Sequence, residues 1–220
     1  MSTDWSTLWP IFTTSIWETL WMVTVTMVVG GFFGLVLGIL LYTTRRGGLL
    51  QNSPAYTVLN VLVNFVRPIP FIIFITAVGS LTLLTVGTTI GTAAAIFPLV
   101  IAASFGISRI VEQNLVSIDP GVIEAARAMG ASPLRIIVTL LIPEALGPLI
   151  LGYTFVFVAV VDMTAVAGAV GGGGLGNFAI VYGYQRFNWT VTWLAVLTII
   201  VLVQVAQFLG NALARKALRH

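Results

Sequence analysis

No charged residue occurs between Leu20 and Tyr42. A helix needs about 20 apolar residues to cross a hydrocarbon core of about 30 Å, so this run is long enough to span a bilayer. Further apolar runs cover residues 58–84, 91–108, 145–168 and 189–209. The second is interrupted by Arg67-Pro68-Ile69-Pro70, the third contains Pro98 and the fourth carries Asp162. Prolines at 68 and 70 remove backbone donors and break or kink the helix, and Arg67 snorkels to an interface or pairs inside the protein. Backbone polar groups inside a bilayer must be satisfied within their own segment, which favours helices. The expected fold is an all-α integral membrane protein with five transmembrane helices, forming one transmembrane domain over residues 1–220.

Composition supports that setting. Hydrophobic residues make up 58% of the chain and charged residues 8%, against about 25% charged in a soluble domain. The net charge of +3 does not point to nucleic acid, because the basic residues stand singly or in small groups at the ends of apolar runs. Cysteine is absent, which excludes disulfides, cysteine metal sites and a thiol nucleophile. The one histidine is the last residue, His220, which leaves little room for histidine-dependent catalysis or metal binding. No cleavable signal peptide is expected, since Asp4 stands where a basic region would lie.

Charge placement orients the spans. Arg45 and Arg46 fall in the first loop, Arg109, Arg127 and Arg135 in the third, and Arg215, Lys216 and Arg219 in the tail. With five spans these regions share one side, which the positive-inside rule makes cytoplasmic. Asp4, Glu18, the uncharged turn at 85–90 and Arg186 lie toward the other side. The N-terminus is therefore expected outside and the C-terminus in the cytoplasm. Gly30, Gly34 and Gly38 recur in four-residue steps, a pattern that allows close helix contact or is merely tolerated in lipid.

One charged segment stands out, Glu124-Ala125-Ala126-Arg127-Ala128-Met129-Gly130, followed by Ile142-Pro143. Asp119 suits an N-cap and Pro120 the first helical position. Glu124 and Arg127 can pair on one face, and Gly130 supplies a left-handed stop. Ser132 and Pro133 repeat the start signal for a second helix. Two abutting helices between spans form an elbow that another protein can grip. The run Gly171-Gly172-Gly173-Gly174-Leu175-Gly176 lacks the Lys and Ser or Thr of a phosphate loop and reads as a flexible bend or re-entrant segment at the outer mouth. Asp162 is costly in a span, roughly 2.5–3.5 kcal/mol at the bilayer centre. It lines a pathway, pairs with a neighbouring helix, or sits near the outer interface.

The pattern Glu124-Ala125-Ala126, Gly130, Leu140, Ile142-Pro143 resembles the cytoplasmic signature of permease subunits of binding-protein-dependent ABC importers. Leu140 and Ile142 stand where that family has Ile and Leu. The resemblance covers about residues 14–209 and is nearest to the methionine-importer permeases. It is carried also by Trp17-Glu18-Thr19-Leu20, Phe65-Val66-Arg67-Pro68-Ile69-Pro70-Phe71 and Gly168-Ala169-Val170-Gly171 onward. Asp162-Met163 departs from the small residue and aromatic expected there. The resemblance implies a type I importer permease fold whose elbow is the coupling helix, with Glu124, Ala125, Ala126, Gly130 and Pro143 as the ATPase-coupling residues. Asp162 and Met163 are the candidates for the translocation pathway. It implies a second copy of the chain, two cytoplasmic ATP-binding subunits and an extracytoplasmic substrate-binding lipoprotein as partners. No cofactor is expected on this chain, with ATP and magnesium on the ATPase, and the task is import of methionine (D or L) or a related amino acid across a prokaryotic inner membrane.

Two other classes compete. An intramembrane hydrolase needs a base near a nucleophile, or two carboxylates, and the spans offer neither. A proton-coupled secondary transporter using Asp162 is the stronger rival, although such folds commonly show internal repeats and none is found here. The cysteine-free background provides a test of topology. Ser132→Cys is expected to react with an impermeant thiol reagent only from the cytoplasmic side, and Thr88→Cys only from outside. Reaction of both from one side contradicts the five-span arrangement.

Overall fold

Asp4 opens the first helix, its carboxylate accepting from the Ser6 backbone N–H at 3.1 Å and the Ser6 hydroxyl at 2.6 Å. These bonds hold the Asp4 carboxyl below its usual range, so it stays ionised where the helix N-terminus favours negative charge. In the computed structural model, which describes residues 4–218, this helix does not begin at Leu20. Helix α1 covers Trp5–Val25, widens into a π turn at Thr26–Gly30 and continues as α2, Gly31–Thr44. The whole run has 40 residues, roughly twice the number a crossing needs. Thr26 in the wide turn buries its hydroxyl with no hydrogen-bond partner among the described residues.

Asn52 caps α3, Ser53–Val66, by accepting from the Ala55 N–H at 3.1 Å. The Arg67–Pro70 break follows as expected, and α4 (Phe71–Ala77) and α5 (Gly79–Val86) take up the chain beyond it. Helix α6 covers Thr92–Val116 and absorbs Pro98. Two short helices, α7 (Pro120–Ala128) and α8 (Pro133–Ile136), lead through a second π turn at Ile137–Leu141 into α9, Ile142–Ala169. The short α10, Gly174–Asn177, precedes further wide and tight turns, and α11, Trp189–Ala217, closes the described chain. Among the described residues, four helical runs are long and apolar enough to cross a membrane, and α3 with α4 makes a fifth if the broken pair is one span.

Several boundaries differ from expectation. Arg109 is not in a loop, because α6 runs two turns past Ser108. The charges there are consumed within the helix region: Arg109 pairs with Glu112 and also donates to Asn60 and, at 2.7 Å, to Asn64 on α3. Arg215 and Lys216 lie inside α11, in its last turn, where cations favour the carbonyl end. His220 and Arg219 fall outside the described residues.

The chain clusters into two compact units. The first gathers the chain up to Gly30 with Ile69–Ala103 and Phe157–Ala206. Its core contains Phe12, Leu175, Phe178, Val191 and Ala195, and a second cluster of Met22, Ala95, Leu99 and Ala167. The second unit gathers Gly31–Pro68, Ser104–Val156 and the chain from Gln207 onward. Leu41, Ile107, Val111, Leu115, Ile136 and Leu141 are fully buried there. Tyr153 donates its hydroxyl to the Gly31 carbonyl at 2.7 Å.

The four-residue glycine step is a contact surface rather than a tolerated accident. A Cβ on Gly38 would stand 2.5 Å from Val111 Cβ and 2.6 Å from the Ser108 carbonyl, and one on Gly34 2.6 Å from Ile107 Cβ. At Gly30 the nearest atom is 3.1 Å away. Overpacking costs roughly 1–3 kcal/mol. Gly38→Ala and Gly34→Ala are therefore expected to lower the melting temperature in detergent clearly, and Gly30→Ala much less. Equal melting for all three variants contradicts this packing.

Candidate functional site

The elbow begins where the sequence places it. Asp119 accepts from the Gly121 N–H at 2.8 Å and Pro120 occupies the first turn. Ile123 and Ala126 are buried, whereas Glu124, Ala125 and Arg127 are exposed. The Arg127 side chain does not pair with Glu124: the ion pair among the described residues is Arg109 with Glu112. An exposed pair gains about 0–1 kcal/mol at best while fixing two long side chains. Glu124 and Arg127 instead line a cavity of about 100 Å³ with Tyr42, Arg45 and Ile123, in which Arg45 stacks over the Tyr42 ring at 4.3 Å.

The stop is fully hydrogen-bonded. Gly130 has φ +80°, its N–H donates to the Arg127 carbonyl at 2.9 Å and the Ala131 N–H donates to the Ala126 carbonyl at 3.1 Å. That paired pattern is the Schellman arrangement with Gly130 in the left-handed position. Ser132 accepts from the Arg135 N–H at 3.4 Å and Pro133 starts α8. Pro143 closes nothing, because helix runs from Ile137 through Ala169 without interruption. The Ile142 N–H reaches back to the Ile137 carbonyl, so the ladder is already shifted by one residue where proline lacks its donor. Pro143 is exposed in the first turn of α9.

Sequence reading passed over the apolar tip of this elbow. Met129 is 81% exposed and Leu134 70% exposed, on either side of Gly130. Each can release roughly 1.5–3 kcal/mol when buried. Two large apolar side chains beside a glycine stop, in a charged loop, are the signal that identifies them.

The glycine run is not a loose bend. Glu18 on α1 accepts from the Gly174 N–H at 2.6 Å, and the Thr19 hydroxyl accepts from the Leu175 N–H at 2.8 Å. The Gly171 carbonyl accepts from the Gly91 N–H at 2.9 Å. Gly173 and Gly174 have φ of +79° and +74°, which requires residues without Cβ. The protein's own side chains, the Glu18 carboxylate at Gly174 and the Thr19 hydroxyl at Leu175, thus occupy N–H groups of the kind a phosphate loop would offer to ligand. A hydrogen bond to a charged group contributes about 1.5–3 kcal/mol. Glu18 is an acid deep in an apolar helix, and that isolation is the sequence signal for its role.

Asp162 lies on an exposed part of α9, its carboxylate with no hydrogen bond or ion pair among the described residues. Its neighbour Met163 is half-buried against Met22, Ala95, Leu99 and Ala167. The two candidates therefore face different surroundings, one outward and one into the core. Among the described residues, no group of three or more His, Cys, Asp or Glu could hold a metal ion.

Comparison with known proteins places this architecture. The family described as "Binding-protein-dependent transport system inner membrane component" matches residues 30–219. The probable D-methionine transport system permease protein MetI of Vibrio cholerae is 44% identical over 92% of this chain and 90% of its own. The methionine import system permease protein MetP of Bacillus subtilis is 44% identical over 78% of each chain. A solved structure of the MetNI methionine ABC transporter, in inward-facing form, superposes with a TM-score of 0.94 at 40% identity, covering 99% of both chains. An amino acid ABC transporter matches at a TM-score of 0.79 and 18% identity, which shows the shared fold. A Gly130→Val substitution is expected to leave membrane insertion intact and to abolish ATPase stimulation in the assembled transporter. Because no atom lies within 4 Å of the added Cβ position, the penalty is backbone strain of about 1–2 kcal/mol, and Gly130→Asn is expected to retain more activity. Indistinguishable ATPase stimulation in wild type and the Val variant would contradict the coupling role that the sequence leads one to expect of Gly130. The chain belongs to the inner membrane components of binding-protein-dependent transport systems, as a multi-pass permease.

Proposed function

We propose that this chain is the membrane-spanning permease of an ATP-driven methionine importer. The exposed elbow carries that reading: a capped, hydrogen-bonded helix with Met129 and Leu134 uncovered at its tip has the shape and chemistry of a surface gripped by another protein. The 44% identity to methionine permeases supports the substrate. ATP hydrolysis resides on a separate subunit, and ATP and magnesium bind there.

Two copies of the chain enclose the pathway about a two-fold axis. Two cytoplasmic ATP-binding subunits each receive one elbow, with Glu124, Ala125, Ala126 and Gly130 shaping the contact and Pro143 at the base of the following helix. ATP draws the subunits together, the elbows follow, and the spans rock from inward-open to outward-open. An extracytoplasmic binding protein then releases its amino acid into the cavity. The N-terminus lies outside and the C-terminus in the cytoplasm. Asp162, exposed and unpartnered on α9, faces the pathway, where its carboxylate meets the ammonium of a passing amino acid. Met163 supports α9 from the core side.

The test is uptake by vesicles holding the chain with its ATP-binding subunit and binding protein. ATP-dependent uptake of radiolabelled D- or L-methionine is expected. Transport by the chain alone, driven by a proton gradient, would favour the secondary-transporter reading. In the same assay Asp162→Asn is expected to change uptake or selectivity several-fold while the complex assembles normally. Unaltered uptake of every amino acid tried would make Asp162 incidental, and collapse of the complex would assign it a structural partner.

A further inference from the structure

The clamp that Glu18 and Thr19 place on the glycine turn leads one step further, on the reading of the chain as an alternating-access permease. We propose that Glu18 and Thr19 are positioning residues that keep the glycine turn and α10 fixed to α1 as one rigid piece throughout the transport cycle. The glycine-rich segment, which by composition looks like a hinge, is not where the rocking motion is absorbed.

A hinge needs residues whose φ and ψ can change without breaking contacts. At Gly174 and Leu175 this turn has no such freedom. Rotation about Gly174 removes its N–H from the Glu18 carboxylate, and rotation about Leu175 removes its N–H from Thr19. Space is also filled at Gly173 and Gly174. A Cβ on Gly173 would stand 2.7 Å from the Glu18 carboxylate, and one on Gly174 would stand 2.7 Å from the Thr19 hydroxyl and 2.8 Å from the end of Met22. The far side is equally tight: a Cβ on Gly168, near the end of α9, would meet the Gly173 carbonyl at 2.7 Å and Gly176 at 2.9 Å. Beneath the turn Leu175 and Phe178 have no exposed surface, and Phe178 packs on Phe12 of α1 with ring centroids 5.3 Å apart. Moving α10 off α1 would uncover both. Glycine here serves close approach of backbone to a carboxylate, a use distinct from flexibility.

Hydrogen exchange on the intact wild-type complex tests this directly. Peptides covering residues 171–178 are expected to exchange equally slowly in the nucleotide-free complex and in the complex held with a non-hydrolysable ATP analogue. Faster exchange there in either state overturns the proposal. Substitution gives a second arm, read as methionine uptake and as basal ATPase without binding protein. Glu18→Ala is expected to lower uptake by at least about tenfold and raise basal ATPase, and Glu18→Gln, whose carboxamide oxygen still accepts from Gly174, to stay within about twofold of wild type. Wild-type coupling in Glu18→Ala overturns the proposal. Failure of the wild-type complex to import methionine would count against the permease reading and leave the exchange comparison to decide the clamp.

Discussion

Backbone N–H and C=O groups in an apolar slab cannot fall back on water, and each one left alone costs several kcal/mol. Three irregularities among the described residues show how that requirement is met. The two long helical runs that contain π turns pass through them without losing helix: Thr26–Gly30 and Ile137–Leu141 shift the ladder by one residue and carry on. The second shift sits directly ahead of Pro143, where a donor is missing anyway. The glycine turn, which has no ladder of its own, borrows acceptors from Glu18 and Thr19. Asn60 and Asn64 on α3 are placed where the Arg109 guanidinium needs acceptors.

The same few devices serve opposite ends. A carboxylate caps α1 through Asp4, caps α7 through Asp119, and caps α10 through Glu18 reaching across from another helix. The first two are local, between residues two apart, and serve to start a helix. The third joins residues far apart in sequence and so fixes tertiary structure. The elbow differs from the glycine turn in what it leaves uncovered. At the elbow Met129 and Leu134 are outside, whereas at the turn Leu175 and Phe178 are inside. Similar local chemistry thus yields a surface for a partner in one place and an internal fixture in the other.

Local signals were legible in the sequence. Asp119, Pro120, Gly130, Ser132 and Pro133 each imply a cap, a start or a stop by their own chemistry, and each is found in that role. The glycine step at 30, 34 and 38 was legible as either a helix contact or a pattern tolerated in lipid, and its partner helix was not legible. What escaped depends on groups distant in sequence. Arg109 read as a loop residue because Asn60 and Asn64 could not be seen beside it. Glu18 served in the sequence only to mark the outer side, because its acceptor role needs the Gly174 N–H. The start of α1 was missed because a helix extending beyond a crossing has no hydropathy signal to mark it. The Glu124 and Arg127 pairing followed from spacing alone, which permits an ion pair in solvent without making it worth forming.

Gly38 and Gly130 look alike in the sequence and answer to unrelated demands. Around Gly130 there is open space, and only the sign of φ excludes other residues. Around Gly38 the φ is ordinary for an L residue and the neighbouring helix excludes even a methyl group. One position is selected for handedness and the other for volume. The substitutions tolerated at one therefore say nothing about those tolerated at the other.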